Sequence, residues 1–395
     1  MKNPGADNGC TFVNAAIGAQ DSSLRIESGF IDALAVVPQP GDSVVDLRGD
    51  RILPGLINAH DHLQLNNFPR LKYRERHENV AQWIADIDMQ RATDPAIAES
   101  ARVARDLRLR LGGVKNILSG VTTVAHHDPW YPVLGAVDFP CRVLPDYGWA
   151  HSLALDGEFK VRESYRSTPV NRRWFIHAGE GVDAAAQREF STLENLECVA
   201  SNSLLIHGVA FTAADRGRLA ARGAGLIWCP SSNFFLLGDT AECADLISQG
   251  RVALGSDSRL SGAGDLLDEL AVARESCGVA EADLESMVTS VAATLLGLSD
   301  RGELRAGALA DCVILPRDLP LSAARRADLR CVMLGGGMQY GDEDLAQVLM
   351  TPERRVTVAV DGQPKIVDRS IAEFLRTAPL QECGVRVMES RGIAA

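Results

Sequence analysis

Between Ile52 and Gly255 the chain repeats one unit: a short apolar run, then a stretch with helical spacing. The runs fall at residues 52–57, 120–125, 141–144, 174–176, 203–206, 225–229 and 252–255. Strand alternating with helix requires a parallel sheet with helices packed on it. His60 and Asp257, taken as the ends of the first and eighth strands, are 197 residues apart. That is seven steps of about 28, close to the ~30 residues of a βαβ unit. The expected fold is α/β, a (β/α)8 barrel over residues 52–301. The segment 151–171 should hold the fourth strand, but it is short and polar, so distortion of the barrel is expected there.

The flanks read differently. Residues 11–50 are short alternating or apolar runs broken by turn residues. After Gly297 the helical pattern stops, residues 302–315 read as a turn and a strand, and residues 355–367 read as a hairpin around Asp361-Gly362. Residues 1–51 and 302–395 are therefore expected to form one small β-sandwich lobe, which the chain leaves to build the barrel and then rejoins.

Net charge is −12 with no basic block, which argues against nucleic acid or an anionic membrane as partner. A small molecule is the partner expected, and assembly into a homo-oligomer is left open. No apolar run approaches the ~18 residues of a spanning helix. The first ten residues resemble neither a signal nor a transit peptide. The nine cysteines are odd in number and scattered, without a CxxC pair. Free thiols in a reducing, cytoplasmic compartment are expected.

The first strand runs into His60-Asp61-His62. In extended backbone, residues i and i+2 point the same way, so both imidazoles can meet one metal ion. Three later strands end on His177, His207 and Asp257. Catalytic groups of such barrels gather where strands run out. Each residue alone has a plainer reading, a hydrogen-bonded loop histidine or a turn or capping aspartate. Five such groups in phase with the repeat point to a metal centre. Glu180, three residues after His177, is placed to carry protons, or to sit at a helix N-terminus. His126 and His127 follow the second strand and read as substrate-pocket or structural residues. His77 and His151 read as structural.

These residues occur in stretches that resemble a known family. Residues 54–62 (PGLINAHDH), His177-Ala178-Gly179-Glu180, His207-Gly208, Cys229-Pro230-Ser231-Ser232-Asn233 and Leu254-Gly255-Ser256-Asp257 are similar to motifs of the amidohydrolase superfamily. The likeness is to its cytosine deaminase-like branch, with guanine, S-adenosylhomocysteine and triazine deaminases and hydrolases. It covers nearly all of the chain. It implies one divalent metal, zinc before iron, held by His60, His62, His177 and Asp257. It implies Glu180 as proton shuttle and His207 as the residue that orients the attacking water. No lysine stands at a fourth-strand end to bridge two metals, and the HxE and PCxxC pair of the zinc deaminases of another fold is absent. The family's long excursion between the third and fifth strands is cut short.

The expected function is hydrolytic deamination of a nitrogen heterocycle. Asp257 would take a proton from water, Glu180 would protonate the ring and then the leaving amine, and His207 would stabilise charge on oxygen. Hydrolysis of a cyclic amide or another C–N bond is the alternative, and a non-catalytic metal scaffold a remote one. Gln64, His126, His127, Trp130, Trp228, Asn233 and Arg259 are expected near the substrate. The tryptophans read equally well as core. Arg259, two residues past Asp257, would grip an acidic or carbonyl group, or else pair with Asp265 or Asp268.

Overall fold

The computed structural model describes residues 9–388. Eight parallel strands follow one another around a barrel: Leu56–Asp61, Val121–His126, Arg142–Val143, Gly148–Ser152, Trp174–Ala178, Ser203–His207, Gly225–Trp228 and Val252–Leu254. Most of their residues are buried on both faces, as parallel strands require. The alternation sorts them. Ile57, Phe175, Leu204, Ile206, Ile227 and Ala253 share one apolar cluster, inside the barrel. Their neighbours Leu56, Trp174, Ile176, Leu205, Leu226 and Val252 belong to another, with helix residues such as Val114, Phe190 and Leu270.

The first and eighth strands close on each other beside the site. Asp257 donates its amide to the His60 carbonyl and accepts that of His62, both at 3.1 Å. The approach is tight: a Cβ on Gly255 would lie 2.6 Å from His60 Cβ.

The opposite side is irregular. The third strand is two residues long, and residues 144–147 join it to the fourth with no helix between. Among the described residues these two strands are not paired with each other. The fourth strand, Gly148–Ser152, lies just before the segment expected to hold it. Most of that segment is a helix, Leu153–Ser167, kinked at Gly157 (φ 74°). Polar residues drew the strand boundary too late. In Gly-Trp-Ala-His-Ser only Ala150 and Ser152 are fully buried, so the strand carries no apolar run.

The run 52–57 is two strands, not one. Arg51–Pro54 pairs antiparallel with Cys312–Leu315 in an eleven-stranded sheet built from both ends of the chain. Leu56 then starts the barrel. Gly55 is the pivot: its amide bonds the Asp311 carbonyl at 2.7 Å, and a side chain there would run into Thr122. The sheet's core joins residues from its two halves, among them Phe12, Leu24, Ile52, Ile314, Met333 and Ile366. No helix among the described residues is long and apolar enough to cross a membrane, and none of the nine cysteines is bridged.

Candidate active site

His60 faces the barrel interior because the first strand breaks phase. Its pairing with the second strand shifts between Asn58 and Asp61. Ile57 below the shift and Ala59 within it join the interior cluster, so regular alternation would turn His60 out. A bulge re-aims a side chain in this way. His60, His62 and His177 then converge: His62 Nε2 is 3.3 Å, and His60 Nε2 3.4 Å, from His177 Nε2. Asp257 Oδ1 lies 3.8 Å from the Nε2 atoms of His60 and His62.

This donor set fits a divalent metal ion. Four ligands about 2.0–2.1 Å from zinc stand roughly 3.3–3.4 Å apart along a tetrahedron's edges. Two of the rings are fixed from behind. His62 Nδ1 bonds Asp128 Oδ2 and His177 Nδ1 bonds the His151 carbonyl, each at 2.8 Å. Both therefore turn an Nε2 lone pair to the common centre. Burial, followed by the neighbouring imidazoles, holds His60 and His177 well below the usual histidine pKa. Burial also lowers His62, but the Asp128 bond and charge outweigh it and raise its pKa to about 9. A metal ion at Nε2 takes the place of that proton.

Asp257 is clamped. Ser232 Oγ and Ser261 Oγ both donate to its Oδ2 at 2.7 Å, which leaves Oδ1 for the centre. Its backbone is in the left-handed region (φ 53°), as is that of His207 (φ 77°). Such conformations cost energy in non-glycine residues and cluster at functional sites. His207 Nε2 is 3.4 Å from Glu180 Oε1, and its Nδ1 is 3.4 Å from Asn233 Oδ1. Burial, then the charge of Asp257, pushes the Glu180 carboxyl well above the usual carboxylate range. Burial thereby favours the protonated form of Glu180 over the charged one.

Behind the first strand, Asp61 pairs with Lys115 at 2.9 Å and accepts from Asn116 at 2.7 Å and Asn66 at 2.8 Å. Lys115 is 1% exposed, so the pair is buried and pins the helix Arg105–Leu118 to the strand that carries both histidines.

A cavity of about 250 Å³ opens over these groups. Its floor holds His62, His177, Glu180, His207 and Asp257. Its apolar wall is Val80, Trp83, Ile84 and Ile87, from the helix Val80–Gln90. That wall is tied to the Glu180 segment: Val80 donates its amide to the Glu180 carbonyl at 3.0 Å, and Val182 donates to the Glu78 carbonyl at 2.8 Å.

Comparison with known proteins agrees with this geometry. The model of the Amidohydrolase family matches residues 170–339. An 8-oxoguanine deaminase of Pseudomonas aeruginosa is 30% identical over 412 residues, 81% of this chain and 89% of the relative. The chain belongs to the amidohydrolase family. A 5-methylthioadenosine/S-adenosylhomocysteine deaminase of Halobacterium salinarum is 28% identical, over 76% of this amidohydrolase and 81% of that one. An adenosine deaminase from Xanthomonas campestris with bound zinc has the same fold, with TM-score 0.67 at 16% identity over 87% of this chain and 96% of that one. The amidohydrolase sits in the deaminase branch. It is a metal-dependent hydrolase of carbon–nitrogen bonds with a small-molecule substrate, and its metal is a divalent ion.

The structure brings His60, His62, His177, His207, Glu180 and Asp257 of this amidohydrolase together. Of the residues expected around the substrate, only Gln64 lines the cavity. His126 is buried behind it, its Nδ1 3.4 Å from the Leu63 amide. His127 belongs to the metal-type cluster instead, with His60, His62 and His177. Trp130 is 43% exposed beside a different surface cavity. Trp228 is core, its indole donating to Thr240 at 2.7 Å. Asn233 meets His207 rather than the cavity.

Arg259 turns away to Glu382, bonding both carboxylate oxygens at 2.8 and 2.6 Å. The strand ends at Leu254 and Asp257 is left-handed, so the extended alternation that aimed Arg259 inward does not exist. His77 is structural as expected, held 3.1 Å from Asp86. His151 is not merely structural, since it lines the cavity and orients His177 through its carbonyl. The sequence reading also missed Asp128, whose place directly after His126-His127 at a strand end was the available signal.

Proposed function

We propose that this amidohydrolase is a hydrolytic deaminase of a small nitrogen heterocycle, working with one divalent metal ion held by His60, His62, His177 and Asp257. Zinc is the first expectation and iron the second. The observation that carries the reading is the convergence of three Nε2 atoms and Asp257 Oδ1 on the floor of a cavity beside the buried carboxyl of Glu180. Relatives that act on 8-oxoguanine and on purine nucleosides support a heterocyclic amidine as the reacting group.

Bound there, the metal ion supplies a Lewis acid that makes hydroxide available near neutral pH. Asp257, held in place by the Ser232 and Ser261 hydroxyls, takes the proton of the attacking water. Glu180 gives its own proton to the ring nitrogen next to the attacked carbon. The C–O bond forms there, and the exocyclic C–N bond breaks as the proton from Asp257 passes to the leaving amine and the new hydroxyl returns its proton to Glu180, leaving the carbonyl. His207 holds Glu180 and the water in register, steadied by Asn233. The wall of Val80, Trp83, Ile84 and Ile87 binds the face of the ring and excludes bulk water. The products are a ring carbonyl and ammonia.

Metal-replete protein incubated with aminopurines, aminopyrimidines, aminotriazines and cyclic amides tests this. Stoichiometric ammonia from one of the amino heterocycles is the expected result. Ring opening of a cyclic amide without ammonia would overturn deamination in favour of endocyclic C–N hydrolysis.

A further inference from the structure

One buried imidazole stands against the metal-type histidines without a part in the proton transfers. His127 is 2% exposed and stands among the presumed ligands. Its ring centroid lies 4.3 Å from that of His177, 5.2 Å from His60 and 5.7 Å from His62. The three presumed ligands themselves are spaced 4.9 to 5.3 Å apart. One donor atom from each of the four histidines falls within a sphere of mutual distances no greater than 4.8 Å.

The tautomer of His127 is set. Its Nε2 donates to the Ala150 carbonyl at 3.0 Å, so the lone pair it can offer is on Nδ1. That Nδ1 is buried and has no hydrogen-bond partner. A buried acceptor without a partner destabilises the fold, and none of the proton transfers involves it. The barrel's irregularity puts the ring there. The third strand ends at Val143, and His127, just past the second strand, bridges directly to the fourth at Ala150.

We propose that His127 is a fourth imidazole ligand, so that the metal is held by four imidazoles and the Asp257 carboxylate. The proposal rests on the metal-site reading above and adds one ligand to it. A catalytic centre keeps one position open for water or substrate. Five protein donors plus one open position make six.

Proton NMR of the wild-type protein loaded with cobalt(II) tests the assignment. Each coordinated imidazole whose remote ring nitrogen keeps its proton gives a strongly shifted, solvent-exchangeable N–H signal. Four such signals are expected. Three would overturn the proposal and leave His127 as a plug between strands. His127→Phe keeps the ring's bulk without a donor. In it the fourth signal should vanish, the visible cobalt bands should intensify as the coordination number falls, and metal should be held ~10-fold or more weakly in competition with a chelator. An unchanged spectrum and affinity would contradict the proposal even if the protein folds normally. Absence of any bound cobalt would instead sink the metal site itself, a different failure.

Discussion

The Nε2 atoms of His62 and His177 lie 3.3 Å apart, while the Nδ1 atom of each is already engaged, by Asp128 and by the His151 carbonyl. Two imidazole lone pairs held that close repel unless a cation stands between them. The fold meets the cost of that arrangement with buried bonds behind each ring, as metal sites generally do. Asp128 is the bond most open to test. Asp128→Asn should keep the fold and weaken metal binding about 10–100-fold, measured by competition with a chelator. Unchanged affinity would reduce Asp128 to a partner of Gln64, whose amide it accepts at 2.5 Å.

The Glu180 carboxyl meets His207 at 3.4 Å, and its backbone is clamped by Val80. Glu180→Gln keeps the shape and removes the proton. Metal content should hold while turnover falls by ~10²–10⁴ in the ammonia assay. Retained turnover would return Glu180 to the plainer role of a residue near a helix N-terminus.

Arg259 should matter to stability and not to turnover. Its guanidinium bonds Glu382, whose side chain is fully buried and shared with Arg326. Arg259→Met should leave kcat/KM unchanged and lower the unfolding free energy by about 2–3 kcal/mol, read from denaturant titration. A loss in kcat/KM with full stability would restore the substrate-gripping role.

Glu269 gives the pH dependence. Burial raises its pKa from 4.5 to about 7, only partly offset by the Ser231 hydroxyl and amide. A carboxyl whose folded pKa is above its unfolded value holds its proton more tightly in the fold. Stability from this group is therefore full below pH 4.5, falls as pH rises toward 7, and is lost above it. The loss amounts to up to about 3 kcal/mol. Glu269→Gln should flatten that limb of the stability profile, and an equally steep limb in the variant would move its origin to other groups such as Glu189, also raised to about 7.

Much of the barrel could be read directly because His177, His207 and Asp257 each follow an apolar run that ends at the same height. The fourth strand could not, because Gly148–Ser152 has no such run and is recognised only by pairing with Trp174–Ala178. His60 was placed correctly for a reason periodicity does not contain, the register shift below it. Lys115 was hidden in a helix that reads as amphipathic, and only the buried Asp61 explains it. The pocket was the least legible part. Its wall comes from Val80, Trp83, Ile84 and Ile87, on a helix in the connection between the first two barrel strands, far from any strand-end motif. Trp130, Trp228 and Arg259, chosen for proximity in sequence to the motifs, all pack or pair elsewhere.

The central claim is a metal centre built by His60, His62, His177 and Asp257, and elemental analysis tests it most directly. Wild-type protein, prepared without chelator, should carry close to one equivalent of zinc or iron per chain, and His177→Ala less than about a tenth of that. Metal-free wild type that cannot be loaded, or a His177→Ala protein that holds as much metal as the wild type, would contradict the account.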